Sequence, residues 1–430
     1  MRRAATVLTA TLLLAAAAVS APASAAVQTK AQTDPGAGAT GVRQVMYVGN
    51  NWDGAADVID ASTYQKIKRL NVIPDKRERL AEIYRDPVRL AFFLAIRQAV
   101  GEGHDQYVDD MFSTRDGRLV AVSRPSFADV VGIDLASEQI VWRFPMHGQR
   151  ADHMNVSPDG ARLLVSDSTA NHVDELDIAT GKPLRQFESG DTPHESNYSR
   201  DGSRIFHASI GRIYTPTDPS QFCPLSDPTK GDQRFQIVDN PSFQIVKQWD
   251  IGQKLAEAGF ECMSSAVRPM AISPDEKTAY LQISFFHGYV VFDLEQGVVK
   301  DVVDLPQSEH SKSLRKDEYV LNSAHHGLAI SADGRQLCVA GTMDDYVGLV
   351  RVAAPDDRKL FALPHVGDRP YWAENGPGDQ HCWVSIAGDD RVNVYHYASR
   401  AKVASIPVGY HPQRIREGGV AVDILKDWRA

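Results

Sequence analysis

The stretch Asp152-His-Met-Asn-Val-Ser-Pro-Asp-Gly160 decides the fold, because it recurs in variant form along the chain. In each copy a short apolar strand leads into a Ser-x-Asp-Gly turn, in which the Asp side chain caps the turn and Gly supplies a positive φ. A second strand follows at once. The related stretches are Asp110–Gly117, Glu195–Gly202, Pro269–Glu276, Gly327–Gly334 and, more loosely, His381–Gly388.

The spacing of these turns indicates the architecture. Gly117, Gly160 and Gly202 lie 43 and 42 residues apart, which is the period of a four-stranded propeller blade. No helical pattern recurs at this period, which argues against a βα fold. The sequence therefore predicts an all-β, seven-bladed propeller. The predicted blades are 44–74 with 409–420, then 107–148, 150–191, 192–253, 266–307, 323–367 and 368–408.

The first blade opens at its second strand, so its innermost strand has to come from elsewhere. The segment Gly409–Arg416 near the other end of the chain is the expected donor, because pairing the two ends removes an open sheet edge. The propeller is expected to span residues 43–424. A filled core closed in this way needs no second subunit, so a monomer is expected.

The N-terminal segment has the composition of an export signal. Residues 1–25 begin with Arg2 and Arg3, continue with an apolar run, and end at the small residues Ala23-Ser-Ala25, where cleavage is expected. The apolar run is too short for a permanent membrane span. Residues 26–42 have little apolar side chain and are expected to form a flexible leader. The mature protein is expected to be secreted.

Three insertions interrupt the period. Residues 75–103 carry apolar positions at helical spacing, which predicts two short helices separated at Pro87. They would form a flap over one face of the ring or a lid over a central pocket. Residues 215–232 are rich in Pro and Asp and contain Cys223. Residues 308–319 are polar and are expected to be an exposed loop.

Composition, cysteine content and absent motifs limit the partners and the types of chemistry to be expected. The net charge is −9, with no basic stripe, so nucleic acid is not an expected partner. Four cysteines in an exported chain suggest disulfides, and Cys223 with Cys262 is the expected pair. Cys338 is expected in a second strand and Cys382 in the innermost strand of the next blade, and the two could pair or stay buried as small apolar residues. No CxxCH, Gly-x-Ser-x-Gly, HExxH or nucleotide-binding motif occurs, so covalently attached haem, serine hydrolysis and nucleotide binding lack support.

The stretches from Gln44 to Asn51 and from Ala56 to Ser62 resemble the repeat of the YVTN family of secreted propellers, which includes the YncE-like proteins. The resemblance covers most of residues 44–420 and implies the propeller fold. The family hosts binding proteins, lactone hydrolases and haem- or quinone-dependent oxidoreductases. The resemblance therefore leaves the chemistry open.

Histidines stand at one position of the repeat more often than chance predicts. The residues four and five places before the turn Ser begin the innermost strand, where side chains face the central funnel. In our alignment they are Asp109/Asp110, Asp152/His153, His194/Glu195, Arg268/Pro269, His326/Gly327, Gln380/His381 and His411/Pro412. The candidate metal ligands are His153, His194, His326, His381 and His411.

Three interpretations of these residues remain open. Neutral imidazole binds transition metal ions. Imidazole is also a general acid or base, and the catalytic candidates are then His194, Glu195, Arg268 and His326, with Arg268 holding an anionic group. Alternatively, the histidines simply line a polar channel. The sequence predicts a funnel that binds a metal ion or another ligand, such as a small molecule or a cell-envelope component. The alternative is a metal- or cofactor-dependent oxidoreductase or lactone-type hydrolase.

Overall fold

The computed structural model describes residues 41–212, 230–352, 359–364 and 366–429. Their strands form seven four-stranded antiparallel sheets, which confirms the all-β, seven-bladed propeller. The expected signal peptide, residues 1–25, lies outside the described residues, as does the leader up to residue 40. No helix of the described part is long and apolar enough to cross a membrane.

The first three blades are built from strands near the N-terminus and one strand from the C-terminus. The first contains β1 (Val42–Asn50), β2 (Ala55–Asp60), β3 (Lys66–Asn71) and the C-terminal strand β28 (Pro412–Ala421). The second contains β4 (Met111–Ser113), β5 (Leu119–Arg124), β6 (Asp129–Asp134) and β7 (Gln139–Pro145). The third contains β8 (Ala151–Val156), β9 (Arg162–Asp167), β10 (His172–Asp177) and β11 (Pro183–Glu188).

The other four blades follow in chain order. The fourth contains β12 (Pro193–Tyr198), β13 (Arg204–Ser209), β14 (Arg234–Asp239) and β15 (Gln244–Asp250). The fifth contains β16 (Val267–Ile272), β17 (Thr278–Ile283), β18 (Gly288–Asp293) and β19 (Val298–Asp304). The sixth contains β20 (Leu328–Ile330), β21 (Gln336–Gly341), β22 (Tyr346–Arg351) and β23 (Leu360–Pro364). The seventh contains β24 (Pro370–Asn375), β25 (His381–Ile386), β26 (Arg391–His396) and β27 (Lys402–Pro407).

The turn that joins the first two strands of a blade has the expected Asp side-chain cap and a Gly with positive φ. In the fourth blade, Ser199 Oγ donates to Asp201 Oδ1 at 2.7 Å, and the same oxygen accepts the Ser203 N–H at 2.9 Å. Gly202 has a φ of +71°, a conformation that costs Gly little. The turn therefore specifies each hairpin locally.

The core lies between the blades. Each of the seven interfaces between neighbouring blades holds a cluster of buried apolar side chains from the described residues. Between the third and fourth blades, for example, Leu164 and Val173 pack with Ile205 and Val238. Because a blade buries its faces only against its neighbours, the ring has to close for the core to be complete.

The chain closes the ring as expected. Strand β28 pairs antiparallel with β1 and occupies the innermost place of the first blade. Tyr47 Oη donates to the Gly419 carbonyl oxygen at 2.8 Å across this pair. The helix α5 (Val422–Arg429) follows, and Ile424 and Leu425 pack into the core between the first and second blades. This closure confirms the predicted donor strand.

The first insertion contains the two expected helices, α1 (Lys76–Arg85) and α2 (Pro87–Ala99). Asp86 caps α2 by accepting the Val88 and Arg89 N–H groups, and Pro87 fits the first helical position because it needs no N–H there. Ile83 and Phe93 anchor the pair on the core between the first and second blades.

The insertion at 308–319 is more ordered than an exposed loop. It contains the short helix α4 (Glu309–Ser313), while α3 (Ile251–Glu257) is the remaining helix among the described residues. Ser311 and Tyr319 are buried, although most of their neighbours are exposed. The segment therefore packs on the ring.

Cys338 and Cys382 form a disulfide between the sixth and seventh blades. Both lie in second strands, β21 and β25, so the expectation that Cys382 lies in an innermost strand is wrong. The stretch His381–Gly388 shares only a Ser and a Gly with the repeat, and the innermost strand of this blade is β24. The predicted partner of Cys262, Cys223, lies outside the described residues.

Candidate functional site

The starts of the innermost strands converge at one end of the central channel. In several blades the register jumps there. Ala151 pairs with Asp167 and Met154 with Val165, which leaves the two residues between them without strand partners. The equivalent positions around the ring are Asp109/Asp110, Asp152/His153, His194/Glu195, Arg268/Pro269, His326/Gly327, Tyr371/Trp372 and Gln413/Arg414.

Two of the five histidines predicted as ligands lie elsewhere. His381 begins β25, the second strand of its blade, and its ring faces Tyr64 and His396 with centroids 6.2 and 5.0 Å away. His411 precedes β28 and stacks on Trp52 at 3.5 Å. Both alignments were wrong because neither strand carries the Ser-x-Asp-Gly turn that set the register.

The ring residues that the alignment missed include Tyr371 and Arg414. A signal for them was present in the sequence, since Pro370 and Pro412 begin their strands as Pro193 does. Counting from these prolines places Tyr371 and Gln413 at the same position as His194. Strand pairing is what shows that these three prolines occupy the same position in their blades.

Three of the predicted histidines do come together. The ring centroids of His153 and His194 are 4.1 Å apart, and those of His194 and His326 are 6.1 Å apart. Burial holds the pKa of each well below the usual value, and nearby arginines lower it further. The Nδ1 atoms of all three have no hydrogen-bond partner among the described residues. These rings are therefore neutral, with unused polar atoms.

Two arginines stand beside them. Arg414 donates to His153 Nε2, and its guanidinium lies over the Trp372 ring at 4.2 Å and 3.6 Å from Asp109. Arg268 donates to Ser284 Oγ at 2.8 Å and to the Leu321 carbonyl oxygen at 2.6 Å. Both guanidinium groups are held in place by contacts to the ring wall.

Asp109 and Asp152 complete the wall, and Glu195 follows His194 along its strand. Burial raises the pKa of Asp109 to about 6, with Arg414 opposing this rise and Asp152 adding to it. Asp152 is paired with Arg150. Burial also raises the pKa of Glu195 to about 7, although Asn197 Nδ2 and the Met270 N–H donate to its two oxygens, each at 2.9 Å. Two carboxyl groups here therefore bind protons near neutral pH.

These side chains enclose a cavity of about 430 Å³ of space that no protein atom fills, part of it continuous with solvent. Its wall includes Ala99 and Val100 at the end of α2, and Leu321 from the insertion that begins at residue 308. The Tyr371 hydroxyl has no partner among the described residues, and its ring stacks on His326 at 4.4 Å. The end of the first insertion and the residues just after the insertion at 308–319 therefore form part of the cavity wall.

A metal ion has one possible position in this cavity. Ligand atoms of Asp109, Asp152 and His153 lie within 4.8 Å of one another. However, guanidinium groups already contact all three, Arg150 at Asp152 and Arg414 at the other two. A cation here would have to displace or tolerate two positive charges at short range, which is unfavourable in a buried site. The arrangement suits an anion better.

The catalytic candidates are spread over the wall. His194, Arg268 and His326 line the cavity, whereas Glu195 is the next residue along the strand from His194 and is held by two donors. The candidate metal ligands His381 and His411 do not join them. The described residues hold two further His/Asp groups away from the funnel, His287 with His325 and Asp344, and His147 with His172 and Asp174.

Comparison with known proteins supports the fold alone. No model of a protein family matches the chain, and no curated protein sequence matches it. Among solved structures, a chain described as Kuenenia stuttgartiensis hydrazine synthase is similar, with a TM-score of 0.52 and 15% sequence identity. The match covers 71% of this chain and 88% of that chain. At this identity the likeness concerns the propeller fold and not the chemistry.

Proposed function

We propose that this protein is an exported binding propeller whose central funnel holds a small anionic ligand, such as a carboxylate or another oxyanion. The observation that supports it is the set of cationic and neutral donors around one buried cavity. Arg268 and Arg414 face the cavity with three histidine rings whose Nδ1 atoms have no partner among the described residues.

The charges around the cavity favour an anion. Arg150, Arg268 and Arg414 contribute three positive charges to the wall, against the carboxyl groups of Asp109 and Asp152. Because the pKa of Asp109 is raised to about 6, this group is partly protonated in mildly acidic solution and then adds less negative charge. The wall then carries a net positive charge, which an oxyanion would neutralise.

The unpaired hydrogen-bond donors around the cavity also favour an anionic ligand. His153 Nε2 accepts from Arg414, so the proton of this neutral ring is on Nδ1, which is buried and unpaired among the described residues. The Nε and Nη1 atoms of Arg414 and the hydroxyl oxygen of Tyr371 are also buried without a partner there. Buried donors of this kind are costly unless something accepts from them. A ligand with two or more acceptor oxygens would satisfy several at once.

An enzymatic role is the second candidate. The raised pKa of Glu195, about 7, suits a general acid or base, and Arg268 could hold an anionic substrate next to His194. The family resemblance through the YVTN-like repeats is compatible with either role. An oxidoreductase or lactone-type hydrolase in the same funnel would still have to bind a polar substrate, so the binding test comes first.

The test measures anion binding to the purified chain by thermal shift and by titration calorimetry. The anions are inorganic phosphate, succinate and citrate. We expect at least one of them to bind, and Arg414→Gln and Arg268→Gln each to weaken it about 10- to 100-fold. A charge-assisted hydrogen bond contributes about 1.5–3 kcal/mol, and about 1.4 kcal/mol corresponds to a tenfold change.

Arg315→Gln is the matched control, because Arg315 is an exposed arginine that pairs with Asp317 and does not line the cavity. It should bind the anion as the wild type does. Binding that is equal in all four proteins would refute the funnel as the site. A protein that binds no anion but takes up a transition metal, and loses it on Asp109→Asn, would establish the metal interpretation instead.

A further inference from the structure

A second group of polar residues lies outside the funnel, between the fifth and sixth blades. His287 stands directly before β18, His325 stands shortly before β20, and Asp344 lies in the turn between β21 and β22. All three are buried, and His325 is fully enclosed. The segment that begins at Ser308 and contains α4 covers them. Strand ends and tight turns hold side chains precisely, as a binding site requires.

The three side chains converge on one carboxylate oxygen. His287 Nδ1 lies 2.6 Å from Asp344 Oδ2, and His325 Nε2 lies 3.2 Å from the same oxygen. Tyr346 Oη is 3.4 Å from His325 Nε2. Ligands around a tetrahedral ion with bonds of 2.0–2.1 Å stand about 3.3 Å apart. The separations of 3.2 Å and 3.4 Å from His325 Nε2 therefore match this value, whereas the 2.6 Å contact between His287 and Asp344 would have to widen.

Other residues hold the Asp344 carboxylate in the orientation of a metal ligand. The second oxygen of Asp344, Oδ1, accepts the Ser308 N–H at 2.8 Å and the Ser311 hydroxyl at 2.6 Å, which leaves Oδ2 for the histidines. Outer partners that fix the ligand carboxylate are typical of protein metal sites. They also connect the site to the covering segment.

The hydrogen bonds of Tyr319 indicate the tautomer of His287. Tyr319 Oη donates to the Ser311 carbonyl oxygen at 3.3 Å, so it accepts from His287 Nε2 at 2.9 Å. A neutral His287 then has its proton on Nε2 and directs the Nδ1 lone pair at Asp344. Two lone pairs at 2.6 Å repel each other unless a proton or a cation lies between them. A metal ion would take the place of that proton.

The surroundings of Asp344 lack the competing cations found in the funnel. Among the described residues, both ion pairs of Asp344 are to histidine, His287 and His325. By contrast, His147 of the third group, with His172 and Asp174, is exposed, so that group is open to solvent on one side.

From these contacts we infer that His287, His325 and Asp344 form a binding site for one divalent transition-metal ion, with the Tyr346 hydroxyl group or a water molecule at the fourth position. Two imidazole nitrogens and a carboxylate suit Zn²⁺ best among the common ions. The ion would fasten the segment from Ser308 to Asn322 to the ring. Leu321 of this segment accepts a hydrogen bond from Arg268, so the site would also steady one wall of the funnel.

The experiment measures metal content and the Co²⁺ spectrum of the full chain, purified without chelators from medium supplemented with Zn²⁺ or Co²⁺. We expect about one ion per chain and, for the Co²⁺ form, the visible absorption of a tetrahedral site. His287→Gln and His325→Gln should each reduce the content to below about one-tenth of the wild-type value. The control is His172→Gln, which alters the third His/Asp group and should keep the ion.

A wild-type chain that holds neither Zn²⁺ nor Co²⁺ overturns the inference, and so does full metal content in the two variants. Loss of the ion in the His172→Gln control would place the metal elsewhere and overturn it equally. If the variants do not fold, the wild-type spectrum decides together with Tyr319→Phe. This change keeps the three ligands but removes the hydrogen bond that orients His287, and it should reduce Co²⁺ affinity about tenfold.

Discussion

At the residue scale, one carboxyl group next to the lining residue His194 departs from the usual rule that buried charges are paired. Glu195 is 4% exposed and receives two hydrogen bonds, yet its pKa is raised to about 7 because burial outweighs them. Functional sites often keep such groups, since a raised pKa makes a carboxyl group a proton donor near neutral pH.

Glu195→Gln tests the raised pKa of Glu195 through the pH dependence of stability. The pKa in the folded chain lies above its ordinary value of 4.5, so the folded state binds the proton more tightly. Its contribution is therefore present below about pH 4.5 and is lost as the pH rises to about 7. We expect the free energy of unfolding of the variant to exceed that of the wild type at pH 8, by up to about 3 kcal/mol.

The measurement is urea unfolding at pH 4.5 and pH 8, with the difference between variant and wild type compared at the two values. Glu309→Gln is the control, because this side chain is fully exposed and should change neither curve. An equal effect of Glu195→Gln at both pH values would contradict a raised pKa.

At the element scale, each blade is a four-stranded sheet too small to be stable alone, and links between blades matter correspondingly. The disulfide between Cys338 and Cys382 is such a link, because it joins the second strands of two neighbouring blades across a separation of 44 residues. Both cysteines are fully buried in the core between the sixth and seventh blades.

Replacing both cysteines by alanine should lower the free energy of unfolding by about 4 kcal/mol, which is the chain-entropy value for closing a loop of this length. Urea unfolding under non-reducing conditions measures it. Ser331→Ala, which removes a turn hydrogen bond to Asp333 in the sixth blade, should cost only about 1 kcal/mol. Equal midpoints for the double variant and the wild type would show that the crosslink contributes nothing.

At the scale of the whole molecule, one buried arginine joins three blades. Arg416, on the closing strand β28, donates to both oxygens of Asp110 in the second blade at 2.7 and 2.8 Å, and to Glu374 in the seventh at 2.6 Å. The charges are removed from water together, so each depends on the others. The polar centre of the ring is thus tied to its closure.

Arg416→Met should destabilise the protein by about 3–5 kcal/mol, because it leaves the carboxylates of Asp110 and Glu374 buried without their partner. The loss is expected as a lower urea midpoint, with an additional fall in stability toward neutral pH as Glu374, whose pKa burial raises, ionises. Arg315→Met, at an exposed ion pair, should leave the midpoint unchanged. A similar small effect of both changes would contradict the role of Arg416 in closure.

Much of the architecture is readable from short stretches of the chain. The Ser-x-Asp-Gly turns, the 42- to 43-residue spacing and the apolar strands that flank them predict four-stranded blades, because turn geometry and strand alternation are properties of neighbouring residues. The same reasoning located the helices at Pro87 and placed His153, His194 and His326 on the channel wall. In the blades that carry the Ser-x-Asp-Gly turn, the turn was enough to align the innermost strand correctly.

The sequence by itself thus determined the blade, its repetition and three of the histidines in the funnel. Only the tertiary structure decided that Tyr371 and Arg414 complete the wall in place of His381 and His411. The seventh blade lacks the Ser-x-Asp-Gly turn between its first two strands, and the innermost strand of the first blade comes from the far end of the chain. The convergence of His287, His325 and Asp344 likewise arises from the packing of separate blades. No local pattern encodes a contact between residues up to 57 positions apart, since the fold alone brings them together.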